Sequence, residues 1–460
     1  MITMSLHDLA KIMHGTAHGD AHIKEDTKFQ FDSRLIKQGD VFLALRGESR
    51  DGHEFVDDAI SRGASLSIVS KPVSGPHILV KDVIVAIASA AVFVRNQLKE
   101  LRVIGITGSQ GKTTTKDALF SILSHEGPTV AAEGSYNNDI GVPLTILRCT
   151  HETQYCIVEM GARHGGDISA LARIAAPHVG AVLKVGNAHI GEFGSQEKIA
   201  AAKGELITAL KSGATAVLGT YDSFTPQMVS VDGVKRITFG ENHSCTVRAA
   251  DVEFRGGYAH FDLVTPEARE PVELRVIGLH QVSNALAAAA IAFALGVTTQ
   301  KIASALSTHE SASKWRMEIH EGRELLLIND AYNANPESME AALRTLILLT
   351  QERGGRSWAF LGTMHELGLQ SASMHKEIGA IAATLGLDHL VAIANQDYLS
   401  QLPQSSMTTH YFSSVDDAKS LVSEFEAGDV ILVKASRAEH LEVLAQHITE
   451  MWNTSEGEGM

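Results

Sequence analysis

Short apolar runs recur along the chain, separated by stretches in which apolar residues return every three or four positions, the spacing of an amphipathic helix. Between positions 102 and 219 the runs RVIGIT, QYCIVEM, VGAVLKV and TAVLG read as buried strands, and residues 197–210 read as a helix between two of them. Strands and helices in this alternation predict a largely parallel sheet covered by helices, with ligands at the carboxyl ends of its strands.

The pattern on either side predicts two further units. Near the start, Ser5 stands as a helix cap before LHDLAKIM, residues 29–31 and 41–45 look strand-like, and 54–62 look helical, which together suggest a small α/β domain. Residues 235–276 look like a β-rich extension, and the apolar run 285–295 is too short to cross a bilayer, so it is expected to be a buried helix. From about Ser313 a third α/β unit is predicted: strand ELLLIND, helix 336–351, strand SWAFLG, helix 373–385, strands HLVAIA and VILVKA, and helix 438–451. The expected fold is α/β in three domains: 1–98, a central P-loop sheet over 99–312, and a Rossmann-like unit over 313–460.

Composition narrows the function. The chain has 460 residues, 44% hydrophobic and 20% charged, which fits several globular domains rather than one core. A formal net charge of −15 disfavours a nucleic-acid partner, which demands a broad basic face, but leaves room for an anionic small molecule in a local basic pocket. Cys149, Cys156 and Cys245 are odd in number and lack paired spacing, so reduced core thiols and a cytoplasmic setting are expected. No basic-then-apolar leader pattern opens the chain, and no stable membrane insertion is expected.

The strongest chemical signal is RVIGITGSQGKTTTK at 102–116, a strand that passes through a glycine-rich turn into a helix. Backbone N–H groups, a lysine ammonium and a helix N-terminus can converge there on a polyphosphate, while a threonine hydroxyl reaches its Mg²⁺. The candidates are Thr107, Gly108, Ser109, Gln110, Gly111, Lys112, Thr113 and Thr114. The usual spacing would put a glycine where Ile106 stands, so only the shorter form T-G-x-x-G-K-T is met in full; the alternative is an ordinary strand-to-helix turn. Glu159, at the end of QYCIVEM, is placed to be a magnesium ligand or else a solvated strand-end carboxylate. His189 follows the next strand, and Lys203 lies fourteen residues further on.

The runs TGSQGKTTTK, YNNDIGVP, EMGARHGGDI, GNAHIGEFGS, AAKGEL, GLHQVSNALAAAA and NDAYNANPESMEAAL resemble, in order and spacing, the Mur ligase family. The resemblance spans almost the whole chain. The block at 329–343 is most similar to the branch that adds D-alanyl-D-alanine to UDP-N-acetylmuramoyl-tripeptide, and DSRLIKQGDVFLALRGESRDGHEF is similar to a UDP-binding module.

The resemblance implies an ATP-dependent amide ligase acting through an acyl phosphate in peptidoglycan precursor synthesis, with those two substrates as partners; separately, a monomer is expected. It implies two Mg²⁺ ions, held by Thr113, Glu159, His189 and a Lys203 carbamylated by CO₂. By the same resemblance His280 and Asn284 lie on the adenine side, Asp330 and Tyr332 face the ribose, and Arg316 reaches the phosphates from the hinge. Asn137 and Asn138 face the muramoyl and acyl-phosphate region, and Ser33, Arg34, Gly47, Asp51, Gly52 and His53 contact the nucleotide-sugar end.

The chain departs from the family pattern at Trp315, where many relatives have glycine, at Ala435 and at Lys184. The competing readings are another amino-acid ligase of the same chemistry, such as a diaminopimelate-adding enzyme or folylpolyglutamate synthetase, a P-loop ATPase or kinase, and a nucleotide-binding scaffold.

Overall fold

The computed structural model describes residues 1–47, 50–310, 313–322 and 324–454. Its architecture is mixed α/β, with three main sheets, each of which carries its own helices.

In the N-terminal unit Ser5 caps the helix Leu6–Ile12 by accepting a hydrogen bond from the Asp8 N–H. The five-stranded sheet includes Phe29–Gln30 and Val41–Leu43. The second of these ends two residues earlier than the apolar run suggests, because the Leu45 carbonyl turns to accept from the Gly52 N–H at 2.7 Å. A Cβ on Gly52 would lie 2.5 Å from that same carbonyl oxygen, so the turn requires glycine. The expected helix at 54–62 divides into the 3₁₀ turn Gly52–Phe55 and the helix Val56–Ser61.

The central sheet has nine strands, parallel from the edge strand Thr129–Ala131 as far as Val247–Arg255 and antiparallel beyond it. Its strand Arg102–Thr107 lies between Tyr155–Glu159 and Val179–Val182. That position delivers the glycine turn, Glu159 and the loop after Val182 to one end of the sheet, where an open parallel sheet binds its ligands. The helix Gln281–Ala294 is buried on nearly every face, since its alanines allow the sheet and the helix Lys112–Ser124 to approach closely.

The C-terminal sheet has six strands, all parallel except the edge strand Glu318–Gly322. Asn335 and Ser338 form a reciprocal capping box at the start of the helix Pro336–Arg353, which ends at Gly354 with φ of +80°. The last helix begins later than the apolar period suggests, at Glu442: residues Arg437–Glu439 form a 3₁₀ turn and His440, with φ of +53°, breaks the helical path. The edge strand Thr408–Phe412 was not foreseen; its residues are exposed or half-buried and leave no apolar run to read.

The three cysteines are buried and free, as expected. Among the described residues no helix is long and apolar enough to cross a membrane.

Candidate active site

A cavity of about 700 Å³ opens where the carboxyl end of the central sheet faces the C-terminal unit. From the central side it is lined by Ser109, Gln110, Gly111, Lys112, Thr113, Thr114, Asn137, Asn138, Glu159, His189, Lys203, His280 and Asn284. Arg316, Asp330, Tyr332 and Lys434 line the opposite side.

The glycine turn has the geometry the sequence implied. Gly111 takes φ of +82° immediately before the helix Lys112–Ser124, and a Cβ there would lie 2.3 Å from Asn284 Oδ1. The Lys112 ammonium folds back to donate to the Gly108 carbonyl at 2.7 Å, within reach of the loop it would share with a phosphate chain. Burial pushes this lysine below its ordinary pKa, with Glu159 acting against the shift. Thr107 is buried at the end of the strand, and Thr107 and Gly108 do not line the cavity.

Glu159 is completely buried. Its Oε2 accepts from the Thr113 hydroxyl at 3.2 Å, while Oε1 has no hydrogen-bond partner. Desolvation pushes its carboxyl pKa up, and Lys116, Lys112 and Arg316 oppose the shift. A buried carboxylate with a vacant oxygen beside a threonine hydroxyl is a hard-oxygen donor set that fits Mg²⁺.

Lys203, 3% exposed, lines the same cavity from the helix Gln196–Thr208. Burial, assisted by the nearby charge of Lys112, lowers its pKa to about 7. His189 takes a left-handed φ of +63°, and its Nδ1 lies 2.5 Å from Glu366 Oε2 of the C-terminal unit. Among the described residues no group of three or more His, Cys, Asp and Glu side chains is placed to hold a metal ion. An ammonium is no ligand, so a second ion beside His189 would need Lys203 converted into an anion.

Arg316 joins the two sides of the cleft, donating to Thr113 Oγ1 at 3.2 Å and Ser135 Oγ at 3.0 Å while its guanidinium sits 4.0 Å from the Tyr332 ring centroid. Asp330 accepts from the Lys434 ammonium at 2.5 Å and from the Met317 N–H at 3.2 Å. His280 Nδ1 is buried without a hydrogen-bond partner, and desolvation lowers its pKa, which favours a neutral ring. The Asn137 carbonyl accepts from the Gly161 N–H, and Asn138 Oδ1 accepts from the Gly141 N–H at 3.0 Å.

Three domain families match the chain: the Mur ligase family catalytic domain over residues 28–107, the Mur ligase middle domain over 106–292, and the Mur ligase glutamate ligase domain over 315–437. The chain belongs to the Mur ligase family. The UDP-N-acetylmuramoyl-tripeptide–D-alanyl-D-alanine ligase of Mycobacterium tuberculosis is 36% identical, the match covering 97% of each chain. A crystal structure of MurF from Acinetobacter baumannii superposes with a TM-score of 0.88 at 34% identity, covering 97% of this chain and 99% of that one. MurF ligase from Thermotoga maritima, solved in complex with ADP, superposes with a TM-score of 0.80 at 27% identity, over 94% and 99% of the two chains.

Trp315, expected to depart from the family pattern, has a left-handed backbone in the structure. It adopts φ of +59°, a conformation that favours glycine, and its ring lies 4.4 Å from the Arg437 guanidinium. That stacking offsets part of the backbone cost.

The N-terminal candidates lie apart from the cavity lining. Asp51 accepts from Lys71 at 2.6 Å and from the His53 N–H, while His53 Nε2 accepts from the Ser70 N–H. Lys71 first, then His53, hold the Asp51 carboxyl far below its ordinary pKa. Arg34 is largely exposed and paired with Asp32, Ser33 is buried, and the Gly47 N–H donates to the Arg50 carbonyl.

Sequence reasoning missed several groups. Lys116 lies 4.0 Å from Glu159 Oε1, and its place in GKTTTK was the available signal. Ser135 and Glu366 fall outside the quoted motifs, and Glu337 falls inside the 329–343 block without being singled out there; the fold brings Ser135 onto Arg316, Glu337 onto Asn187 and Glu366 beside His189.

Proposed function

We propose that the chain uses ATP to join D-alanyl-D-alanine to UDP-N-acetylmuramoyl-tripeptide, making the pentapeptide precursor of peptidoglycan in the cytoplasm. The observation that carries this reading is one cavity in which the phosphate loop, Glu159 and Lys203 face Arg316, Asp330 and Tyr332 of the 329–343 block and its hinge. The names borne by the relatives supply the substrates.

Lys112 and the amides of the glycine turn orient the γ-phosphoryl group for in-line attack by the tripeptide carboxylate, which yields ADP and an acyl phosphate. Thr113 and Glu159 would hold Mg²⁺, and His189 with a carbamylated Lys203 a second ion; these ions supply charge neutralisation as two anions approach. Arg316 adds its fixed cation to the same task. The free amine of D-alanyl-D-alanine then attacks the acyl carbon, and phosphate leaves as the amide forms. Closure of the C-terminal unit over the cleft would exclude water that otherwise hydrolyses the acyl phosphate.

The substrates divide among the proposed domains: the UDP end on 1–98, ATP between 99–312 and 313–460, and the dipeptide on 313–460. Replacing Arg316 or Asp330 is therefore expected to weaken the use of ATP while leaving UDP-peptide binding intact. Calorimetry with folded variants checks this, and loss of UDP-peptide binding in both would contradict the division.

The function itself is tested by phosphate release against a matrix of UDP-muramoyl-peptides and amino acceptors. Phosphate is expected only when the tripeptide substrate, D-alanyl-D-alanine and Mg²⁺ are all present. Equal release without the dipeptide would identify a simple ATPase instead.

A further inference from the structure

Glu337 occupies the first turn of the helix Pro336–Arg353, yet its carboxylate reaches across the cleft to the central domain. Its Oε1 accepts from the Asn187 N–H at 2.7 Å, and its Oε2 is buried without a hydrogen-bond partner. A Cβ on Gly186 would lie 2.8 Å from the same Oε1, so the carboxylate rests against bare backbone.

The segment it touches, 185–191, carries His189. From its own side this segment is held by Ser109 of the phosphate loop, whose Oγ accepts from the Gly186 N–H at 2.8 Å, and by Asp222, which accepts from the Val185 N–H at 3.0 Å. A second cross-domain contact lies close by. The Gly191 N–H donates to the Glu366 carbonyl at 3.1 Å, and a Cβ on Gly191 would meet Gly368 N at 2.6 Å.

A glutamate in a first helical turn also complements the helix dipole. That role alone would leave the side chain free to face water, and the end of this helix is already satisfied by Asn335 and Ser338. Burying a carboxylate with one oxygen unpaired is costly, so its placement requires a compensating contact, and the charge-assisted bond to Asn187 is that contact.

We propose that Glu337 is a positioning residue: from the C-terminal domain it clamps the backbone of 185–191, so that closure of the cleft sets the His189 segment in register with the phosphate loop. This deepens the ligase reading and rests on it for the link to catalysis.

The test compares the full-length wild type with Glu337→Gln, Glu337→Ala and Gly186→Ala by hydrogen exchange at the amides of 186–191, with and without ADP and Mg²⁺, together with kcat and KM. Glu337→Ala is expected to speed exchange at Asn187 about tenfold or more and to lower kcat with little change in KM for the UDP-peptide. Glu337→Gln keeps an oxygen that can accept the same N–H, so it should stay within about threefold of wild type in both. Gly186→Ala pushes the carboxylate away without removing it and should reproduce the faster exchange, even if Glu337→Ala fails to fold.

Equal impairment of the Gln and Ala variants with unchanged exchange at 186–191 would reduce Glu337 to a helix-end charge and overturn the proposal. Unchanged exchange in Gly186→Ala would overturn it as well. Faster exchange with unaltered turnover would uphold the clamp and count instead against the assignment of His189 to the chemistry.

Discussion

Glu159→Ala and Lys112→Ala are each expected to lower turnover about a hundredfold or more, the scale on which losing one preorganised charge-stabilising group acts. The expectation rests on burial. Glu159 is fully inaccessible, and one of its oxygens is vacant beside the Thr113 hydroxyl. Lys112, Lys116 and Arg316 surround it with positive charge. Removing the carboxylate should raise the Mg²⁺ concentration needed for half-maximal rate as well as lowering kcat, whereas removing Lys112 should act chiefly on phosphoryl transfer. Steady-state kinetics over a Mg²⁺ series, on variants shown by thermal melting to be folded, separates the two. Near-normal turnover in either variant would remove that residue from its assigned role.

Lys203→Ala is expected to be nearly inactive and to regain part of its activity in acetate or formate, because a small carboxylate can fill the space of a missing carbamate. Carbamylation joins the neutral amine nitrogen to the carbon of CO₂ and releases one proton. The neutral amine must therefore be available, and burial lowers the Lys203 pKa to about 7. Below that pH the ammonium predominates and cannot react. Above it the amine is free, so labelling with ¹³CO₂ should increase as pH rises through about 7, read as a carbamate carbon resonance that is missing in Lys203→Ala. Full activity of Lys203→Ala under rigorous CO₂ exclusion would refute the carbamate.

Local chemistry made much of the site legible in the chain itself. The glycine turn was readable because only glycine tolerates the left-handed φ at Gly111 with Asn284 pressed against it. The strands around it were readable because each is buried on both faces and so carries an unbroken apolar run. The edge strands Thr129–Ala131 and Thr408–Phe412 escaped notice for the converse reason: partial exposure imposes no such run. The late start of the last helix depends on one left-handed residue, His440, whose side-chain type does not require that conformation.

The sequence by itself determined the α/β class and the phosphate loop, since these follow from strand burial and turn chemistry; it put Glu159 forward by its place at a strand end, and Lys203 only through the family resemblance. Only the tertiary structure decided what faces them. It brought Arg316 onto Thr113 and Ser135, tied Asp330 to Lys434, set Glu366 beside His189 and carried Glu337 across to Asn187. The Glu337 and Asn187 partners are separated by 150 positions, and their contact involves a backbone N–H, a group every residue but proline carries. Both residues lie in motifs read from the chain, but the motifs do not say that the two meet; the contact exists only when two separately formed sheets close around a common cleft.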